Sequence, residues 1–176
     1  KEYYNPSPEC FWATPNNASG DLGSIGKIPA PVYRVGGDSA YSGNYAVMLQ
    51  TSLGELFNAP KIIAGSVASG DFRIDITDPF NSLKFGKLFV KKPKTVSGYY
   101  RYFPVGGDSA SAYCYLTKNI SGNKLDTIGL GKLIFYDQQT EYAKFEFNVE
   151  YKNTETPDNI VIYFSSSEAG DEFKGQ

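Results

Sequence analysis

The sequence has no histidine, and among its 176 residues it has only two cysteines, one tryptophan and one methionine. Without histidine, a Ser–His–Asp triad and a His-ligated zinc site are both excluded, and no side chain has an unperturbed pKa near 7. Two cysteines cannot supply a four-thiolate zinc site. Cys10 and Cys114 either form a disulfide that closes a long loop or are two small buried thiols on strands.

The sequence also lacks a strong net charge and a long apolar segment. It has 17 basic and 19 acidic side chains, a formal net charge of −2 and a pI of about 5.2. This balance argues against nucleic-acid binding, and no apolar segment approaches the ~20 residues that span a bilayer. Because the chain begins at Lys1 without a signal peptide, we expect a mature or trimmed fragment of a longer protein.

Aromatic side chains are abundant, with 14 tyrosines and 12 phenylalanines, and apolar and polar residues alternate along much of the chain. The alternation is clearest over residues 142–151, where Phe145, Phe147 and Val149 share one face and charged residues occupy the other. Similar segments are 10–14, 43–51, 61–68, 71–77, 83–90, 95–103, 112–117, 131–136 and 159–165. With about ten strands and no convincing helix, the sequence predicts an all-β fold, a two-sheet antiparallel β-sandwich over residues 1–176.

Three segments of the sequence stand out from this pattern of strands. Residues 15–31 are predicted to be a long loop, and residues 52–59 a short helical turn. The hexapeptide Val-Gly-Gly-Asp-Ser-Ala occurs twice, at 35–40 and at 105–110. Since Gly-Gly adopts unusual dihedral angles and Asp caps turns, the repeat is either one turn formed twice or the trace of a duplicated half-domain.

Several segments, taken in order, resemble the putative carbohydrate metabolism domain, a family of surface proteins from gut-commensal bacteria. These segments are residues 11–17 (Phe-Trp-Ala-Thr-Pro-Asn-Asn), 42–51, 63–66, 70–72, 94–102, 160–167 and 170–175. The resemblance implies a jelly-roll sandwich similar to carbohydrate-binding modules and supplies no catalytic residue. It also implies an extracytoplasmic location, in a secreted or periplasmic protein or an outer-surface lipoprotein. Family members usually continue into a final strand, so we expect one domain that lacks this strand or has other domains before it in the full protein.

Carbohydrate binding needs aromatic rings that stack on sugar C–H groups and polar groups that bond hydroxyls. In segment 95–103, alternation places Tyr99 and Arg101 together on the solvent-exposed face, where they either hold a sugar ring or form a cross-strand cation–π pair. In segment 112–117, Tyr113 and Tyr115 lie opposite the residues that read as core. These four side chains are the main candidates for ligand contact.

Two further residues are candidates for ligand contact, and a metal site is also considered. Trp12 either stacks on a ligand or fills the core at the end of a sheet, and Asp108 either accepts hydrogen bonds from sugar hydroxyls or caps its turn. A calcium ion could use Asp71, Asp75, Asp78 or Asp108, but their spacing is not that of an EF-hand. We therefore expect no cofactor, with calcium as the alternative.

Three functions remain open at this point. The favoured one is a non-catalytic module that binds carbohydrate, and the second is a structural or adhesion domain that packs on a partner domain. The third is a glycan-active enzyme, which needs two carboxylates at a defined separation. The candidate carboxylates are Glu55, Asp75, Asp137, Glu141, Glu146 and Glu150. Since the sequence marks no pair among them, no catalytic residue is predicted.

Overall fold

The computed structural model describes residues 10–72, 83–121 and 124–172. The described residues form sixteen strands, and their helical segments are confined to short 3-10 turns. The strands are β1 (Trp12–Ala13), β2 (Gly20–Asp21), β3 (Gly26–Ile28), β4 (Val32–Gly36), β5 (Tyr45–Leu49), β6 (Ser52–Leu56), β7 (Ala59–Ile63), β8 (Ser66–Phe72), β9 (Leu83–Phe85), β10 (Lys87–Leu88), β11 (Thr95–Tyr102), β12 (Ala110–Ser121), β13 (Lys124–Phe135), β14 (Gln139–Asn148), β15 (Glu150–Tyr151) and β16 (Asn159–Ser165). The predicted all-β class is confirmed.

Two sheets form the sandwich. The main sheet has eight strands in the order β1-β8-β16-β12-β13-β15, with β9 beside β8 and β10 beside β16, and all its pairs are antiparallel. The cover sheet consists of β11 and β14, which pair antiparallel with each other. The buried cluster between the two sheets contains Ala112, Cys114, Leu116, Phe147, Val149 and Ile160. The inner face of the main sheet therefore packs on the cover sheet, and its outer face points the other way.

Small residues on the inner faces make room for the aromatic rings of β14. A Cβ atom on Gly98 would lie 2.7 Å from the ring of Phe145, and one on Gly131 would lie 2.9 Å from the ring of Phe147. Both cysteines are thiols rather than a disulfide, with Cys114 fully buried. Because burial raises the pKa of the Cys114 thiol to about 11, this side chain acts as a small apolar core residue.

Residues 20–63 form a second four-stranded sheet, β2-β3-β6-β7, and the two-stranded ribbon β4–β5. The predicted loop over residues 15–31 is therefore wrong in part, since it contains β2 and β3. The predicted helical turn over 52–59 is wrong, because β6 pairs with β7 as a hairpin from Ser52↔Ile63 to Leu56↔Ala59. The two turn residues, Phe57 and Asn58, have φ angles of 52° and 59°, as a two-residue hairpin turn requires.

One other predicted strand differs from the structure, and one is described only in part. Segment 61–68 is divided between β7 and β8, because the chain leaves one sheet and enters another at Ala64 and Gly65. Segment 71–77 is described only as far as Phe72, and its remainder lies outside the described residues. In the described part of the chain, no helix has the length and apolar character needed to cross a membrane.

Candidate functional site

Aromatic side chains line the outer face of the main sheet. Tyr113 and Tyr115 alternate with buried residues of β12 and lie opposite the core, as predicted. Tyr163 of β16 pairs with Tyr113 across the ladder, and Phe85 of β9 lies beyond Tyr163. The ring centroids are 5.8 Å apart for Tyr113 and Tyr115, 6.5 Å for Tyr113 and Tyr163, and 6.3 Å for Phe85 and Tyr163. These four residues are called the aromatic row.

A charged pair is bonded to the aromatic row. The Tyr113 hydroxyl donates a 2.5 Å hydrogen bond to Glu168 Oε1, and Lys132 Nζ donates a 2.8 Å bond to the same oxygen. Lys132 Nζ also lies 4.9 Å from the centroid of the Tyr113 ring. Burial pushes the pKa of the Glu168 carboxyl upward, but the bonds from Lys132 and Tyr113 outweigh burial and hold this pKa below its ordinary value. Glu168 is therefore an ionised hydrogen-bond acceptor at neutral pH.

Sequence reasoning missed Glu168 and Lys132. Lys132 lies directly opposite Tyr113 in the β12–β13 ladder, so the register of two long strands brings it to the row. Glu168 follows the end of β16, and its backbone N–H donates a 2.6 Å bond to the carbonyl of Ser109. The alternation in β13 could have placed Lys132 on an outer face, but no local signal in the sequence pairs Glu168 with Tyr113.

Asp108 lies beneath this site rather than on its surface. Its side chain is buried, and its Oδ1 accepts a 2.7 Å bond from the backbone N–H of Ser109 and a 3.0 Å bond from Ser167 Oγ. Ser167 Oγ also accepts a bond from the backbone N–H of Gly170. Asp108 thus joins the turn before β12 to the loop that carries Glu168. Ligand contact by Asp108 stays a prediction, and its bonds give it a positioning role.

Tyr99 and Arg101 lie on the outer face of the cover sheet, on the opposite side of the sandwich from Tyr113 and Tyr115. The ring of Tyr99 stacks on Tyr41, with centroids 3.7 Å apart and planes within 15°. The guanidinium of Arg101 lies 4.9 Å from the ring of Tyr142 on the neighbouring strand. Arg101 thus makes a cross-strand cation–π contact with Tyr142, and ligand contact by Tyr99 and Arg101 stays a prediction. We call Tyr41, Tyr99, Arg101 and Tyr142 the tyrosine stack.

The remaining predicted site residues are Trp12 and the calcium candidates Asp71, Asp75 and Asp78. The centroid of the Trp12 ring is 6.2 Å from that of Phe164, which packs against the core, and ligand contact by Trp12 stays a prediction. Asp71 forms a 2.8 Å ion pair with Lys87. Asp75 and Asp78 lie outside the described residues. Among the residues that the structure does describe, no three acidic or cysteine side chains cluster as metal ligands.

The comparison with protein families assigns the chain to a family. The family model described as "Putative carbohydrate metabolism domain" matches residues 2–130. The chain belongs to this family. The match includes Phe85, Tyr113 and Tyr115 of the aromatic row, whereas Lys132, Tyr163 and Glu168 come after its end.

Two solved structures share the fold of this carbohydrate metabolism domain. One is described as a putative glycoside hydrolase from Bacteroides vulgatus, with a TM-score of 0.72, 19% identity, and coverage of 93% of this chain and 79% of that chain. The other, described as a putative glycoside hydrolase from Bacteroides thetaiotaomicron, has a TM-score of 0.68, 19% identity, and coverage of 99% and 62%. No curated protein shows significant similarity. The chain spans less than two thirds of the length of the Bacteroides thetaiotaomicron protein.

The carboxylates of this domain differ in their surroundings. Those named as catalytic candidates are exposed where they are described: Glu55, Asp137, Glu141, Glu146 and Glu150. Glu146 forms an ion pair with Lys144 on the solvent face of β14. Glu168, in contrast, is bonded to the aromatic row and is ionised. A glycosidase general acid needs a raised pKa, so Glu168 is suited to accept hydroxyl bonds rather than to donate a proton.

Proposed function

We propose that this domain binds glycan on the outer face of the main sheet and does so without catalysis, as part of a secreted or surface-exposed bacterial protein. The observation that carries the proposal is the pair Tyr113 and Tyr115, whose half-buried rings are parallel within 7° beside the ion pair of Lys132 and Glu168. The family assignment, which relates the domain to carbohydrate metabolism, supports this choice of ligand class.

The chemistry of these groups matches both the apolar C–H groups and the polar hydroxyl groups of a sugar. Tyrosine rings offer apolar area with few torsions to freeze, and sugar C–H groups stack on them. The ring of Tyr113 is further restrained because its hydroxyl is bonded to Glu168. The unused lone pairs of the Glu168 carboxylate can accept sugar hydroxyls, and charge-assisted bonds of this kind are the stronger ones.

The strands that carry these side chains favour a preformed site. β12 is a central strand, paired along most of its length with β13 on one side and with β16 on the other. Asp108 and Ser167 hold the adjacent loop from below. Side chains on such a rigid support are held in place before the ligand arrives, which lowers the entropy cost of binding.

A second candidate function, packing on a partner domain, is favoured by one observation. Leu53 and Phe57 on the β6–β7 hairpin are 68% and 75% exposed, and Phe57 occupies its turn with a positive φ angle. Apolar exposure of this kind is typical of surfaces that another protein covers. Replacing Phe57 with Ser would leave glycan binding unchanged if this hairpin serves only a partner.

The test is a glycan array of host and dietary glycans, followed by isothermal titration with the glycans that bind. We expect Tyr115→Ala to lower the affinity about tenfold, which corresponds to about 1.4 kcal/mol. The matched control is Tyr45→Ala, because Tyr45 is 59% exposed and lies on the β4–β5 ribbon rather than on the main sheet. Absence of binding to every glycan by the folded protein, or equal losses in the two variants, contradicts the proposal.

A further inference from the structure

The aromatic row is longer than the pair that carries the proposed function. Its first step runs along β12, from Tyr115 to Tyr113, and it then passes across the sheet to Tyr163 on β16 and over β8 to Phe85 on β9. Resting on the proposed function, we propose that the row binds a single extended glycan chain of several sugar units, and not the flat face of a crystalline polysaccharide.

The spacing of the rings supports a ligand of several units. The three successive centroid distances are 5.8, 6.5 and 6.3 Å. Each step is close to the length of one monosaccharide unit in a chain. A single sugar therefore covers one ring or the gap between two, whereas the whole row is covered only by an oligosaccharide. Phe85, at the far end, is 50% exposed and would contact only the longer ligands.

The angles between the rings decide between a single chain and a crystal face. The planes of Tyr113 and Tyr115 differ by 7°, those of Tyr113 and Tyr163 by 48°, and those of Phe85 and Tyr163 by 75°. A crystalline polysaccharide presents a planar array of sugar rings, which needs coplanar aromatic partners. The row turns along its length, so it fits a chain that can rotate about each glycosidic bond.

The charges bonded to the row favour a neutral glycan. Lys132 and Glu168 form an ion pair with each other, with a separation of 2.8 Å. Their charges cancel, so neither an acidic nor a basic sugar gains a net attraction at this point. Hydroxyl groups can still bond to both partners, because the ammonium is a donor and the carboxylate an acceptor. The expected ligand is thus an uncharged chain rich in hydroxyls.

The experiment measures affinity against chain length. Soluble oligosaccharides of one to six units from β-1,4-glucan, β-1,4-xylan and α-1,4-glucan are titrated into the protein, and depletion is measured with crystalline cellulose. In at least one series we expect the longest members to bind at least tenfold tighter than the disaccharide. Phe85→Ala should weaken the long chains about fivefold and leave the disaccharide unchanged. The matched control is Phe103→Ala, because Phe103 is 58% exposed and follows β11 of the cover sheet.

The outcomes separate this inference from the proposed function. Binding without a gain from chain length, or wild-type affinity in Phe85→Ala for every chain, overturns the extended ligand and leaves the proposed function intact. Retention of the protein on crystalline cellulose, with no binding to soluble chains, overturns the single-chain ligand alone. Absence of binding to all three series and to cellulose overturns the extended neutral ligand, and the proposed function falls with it only if no glycan of the array binds either.

Discussion

The two copies of the hexapeptide Val-Gly-Gly-Asp-Ser-Ala have the same sequence and different surroundings. The second glycine has a positive φ angle in both copies, 62° at Gly37 and 78° at Gly107, but the first glycine differs, with −144° at Gly36 and 62° at Gly106. In the first copy Asp38 is exposed, whereas in the second Asp108 is buried and bonded to Ser167. The same residues therefore form a surface turn at one position and an anchor at the other, because different elements pack against them.

Each copy adjoins one of the two aromatic groups. The rings of one group stack on each other, whereas those of the other are spaced apart. Beside the first copy, the hydroxyl of Tyr142 in the tyrosine stack donates a bond to the carbonyl of Ser39. The rings of Tyr41 and Tyr99 cover each other's faces, since their centroids are 3.7 Å apart. Beside the second copy, the centroids of neighbouring rings in the aromatic row are at least 5.8 Å apart. We interpret the stack as a structural clamp and the row as a platform.

The largest expected effect distinguishes the two hexapeptides. Asp108→Ala leaves Ser167 Oγ and the Ser109 N–H without their buried acceptor, so we expect the free energy of unfolding to fall by about 2–3 kcal/mol. Asp38→Ala removes an exposed carboxylate from the identical sequence and should change it by less than about 0.5 kcal/mol. Urea denaturation of both variants measures the difference. Equal losses would mean that the turn itself, and not the buried anchor, needs the aspartate.

A smaller effect tests the clamp. Tyr41→Ala removes one ring of the closest stacked pair, and such pairs stabilise by about 0.5–1.5 kcal/mol beyond the area they bury. We expect a loss of about 1 kcal/mol in the free energy of unfolding and no change in glycan affinity. The exposed Tyr136 supplies the control through Tyr136→Ala. If Tyr41→Ala weakened glycan binding while the fold stayed intact, the stack would belong to the ligand site.

The alternation of side chains predicted the sandwich well. In β12 the apolar residues Ala112, Cys114 and Leu116 face the core, and Tyr113 and Tyr115 face outward, as the sequence indicates. Side-chain direction within a strand depends only on its period of two, so local sequence is enough. Within residues 15–63, β5 was predicted, whereas β2, β3, β4 and β6 escaped prediction because they have few residues in which alternation can be seen.

The candidate site was predictable only in part, because it depends on register and on loop packing. Tyr99 and Arg101 were correctly placed on an exposed face, but Tyr41 and Tyr142 come from other segments and cover them. The contact between Glu168 and Tyr113 joins residues that are 55 positions apart. No local pattern encodes such a pair, since it forms only once β16 has paired with β12.

The smallest effect concerns Tyr102, which lies on β11. The charge of Asp108 contributes to the raised pKa of the Tyr102 hydroxyl. This hydroxyl is fully buried, and no described residue forms a hydrogen bond with it. Removing a buried polar group of this kind costs nothing, so Tyr102→Phe should leave the free energy of unfolding unchanged or raise it by up to about 1 kcal/mol. A loss of more than 1 kcal/mol would mean that a bound water satisfies the hydroxyl.

The pH dependence of stability is a second test of whether the Tyr102 hydroxyl is buried. Burial, together with the charge of Asp108, raises the pKa of Tyr102 from 10.0 to about 12. Since the folded state has the higher pKa, the stability that Tyr102 contributes is fully present below pH 10.0 and is lost as the pH rises towards 12. Urea denaturation across this range should therefore show a shallower alkaline decline in Tyr102→Phe than in the wild type. Parallel declines would place the Tyr102 hydroxyl in contact with solvent, and its link to the Asp108 anchor would be lost.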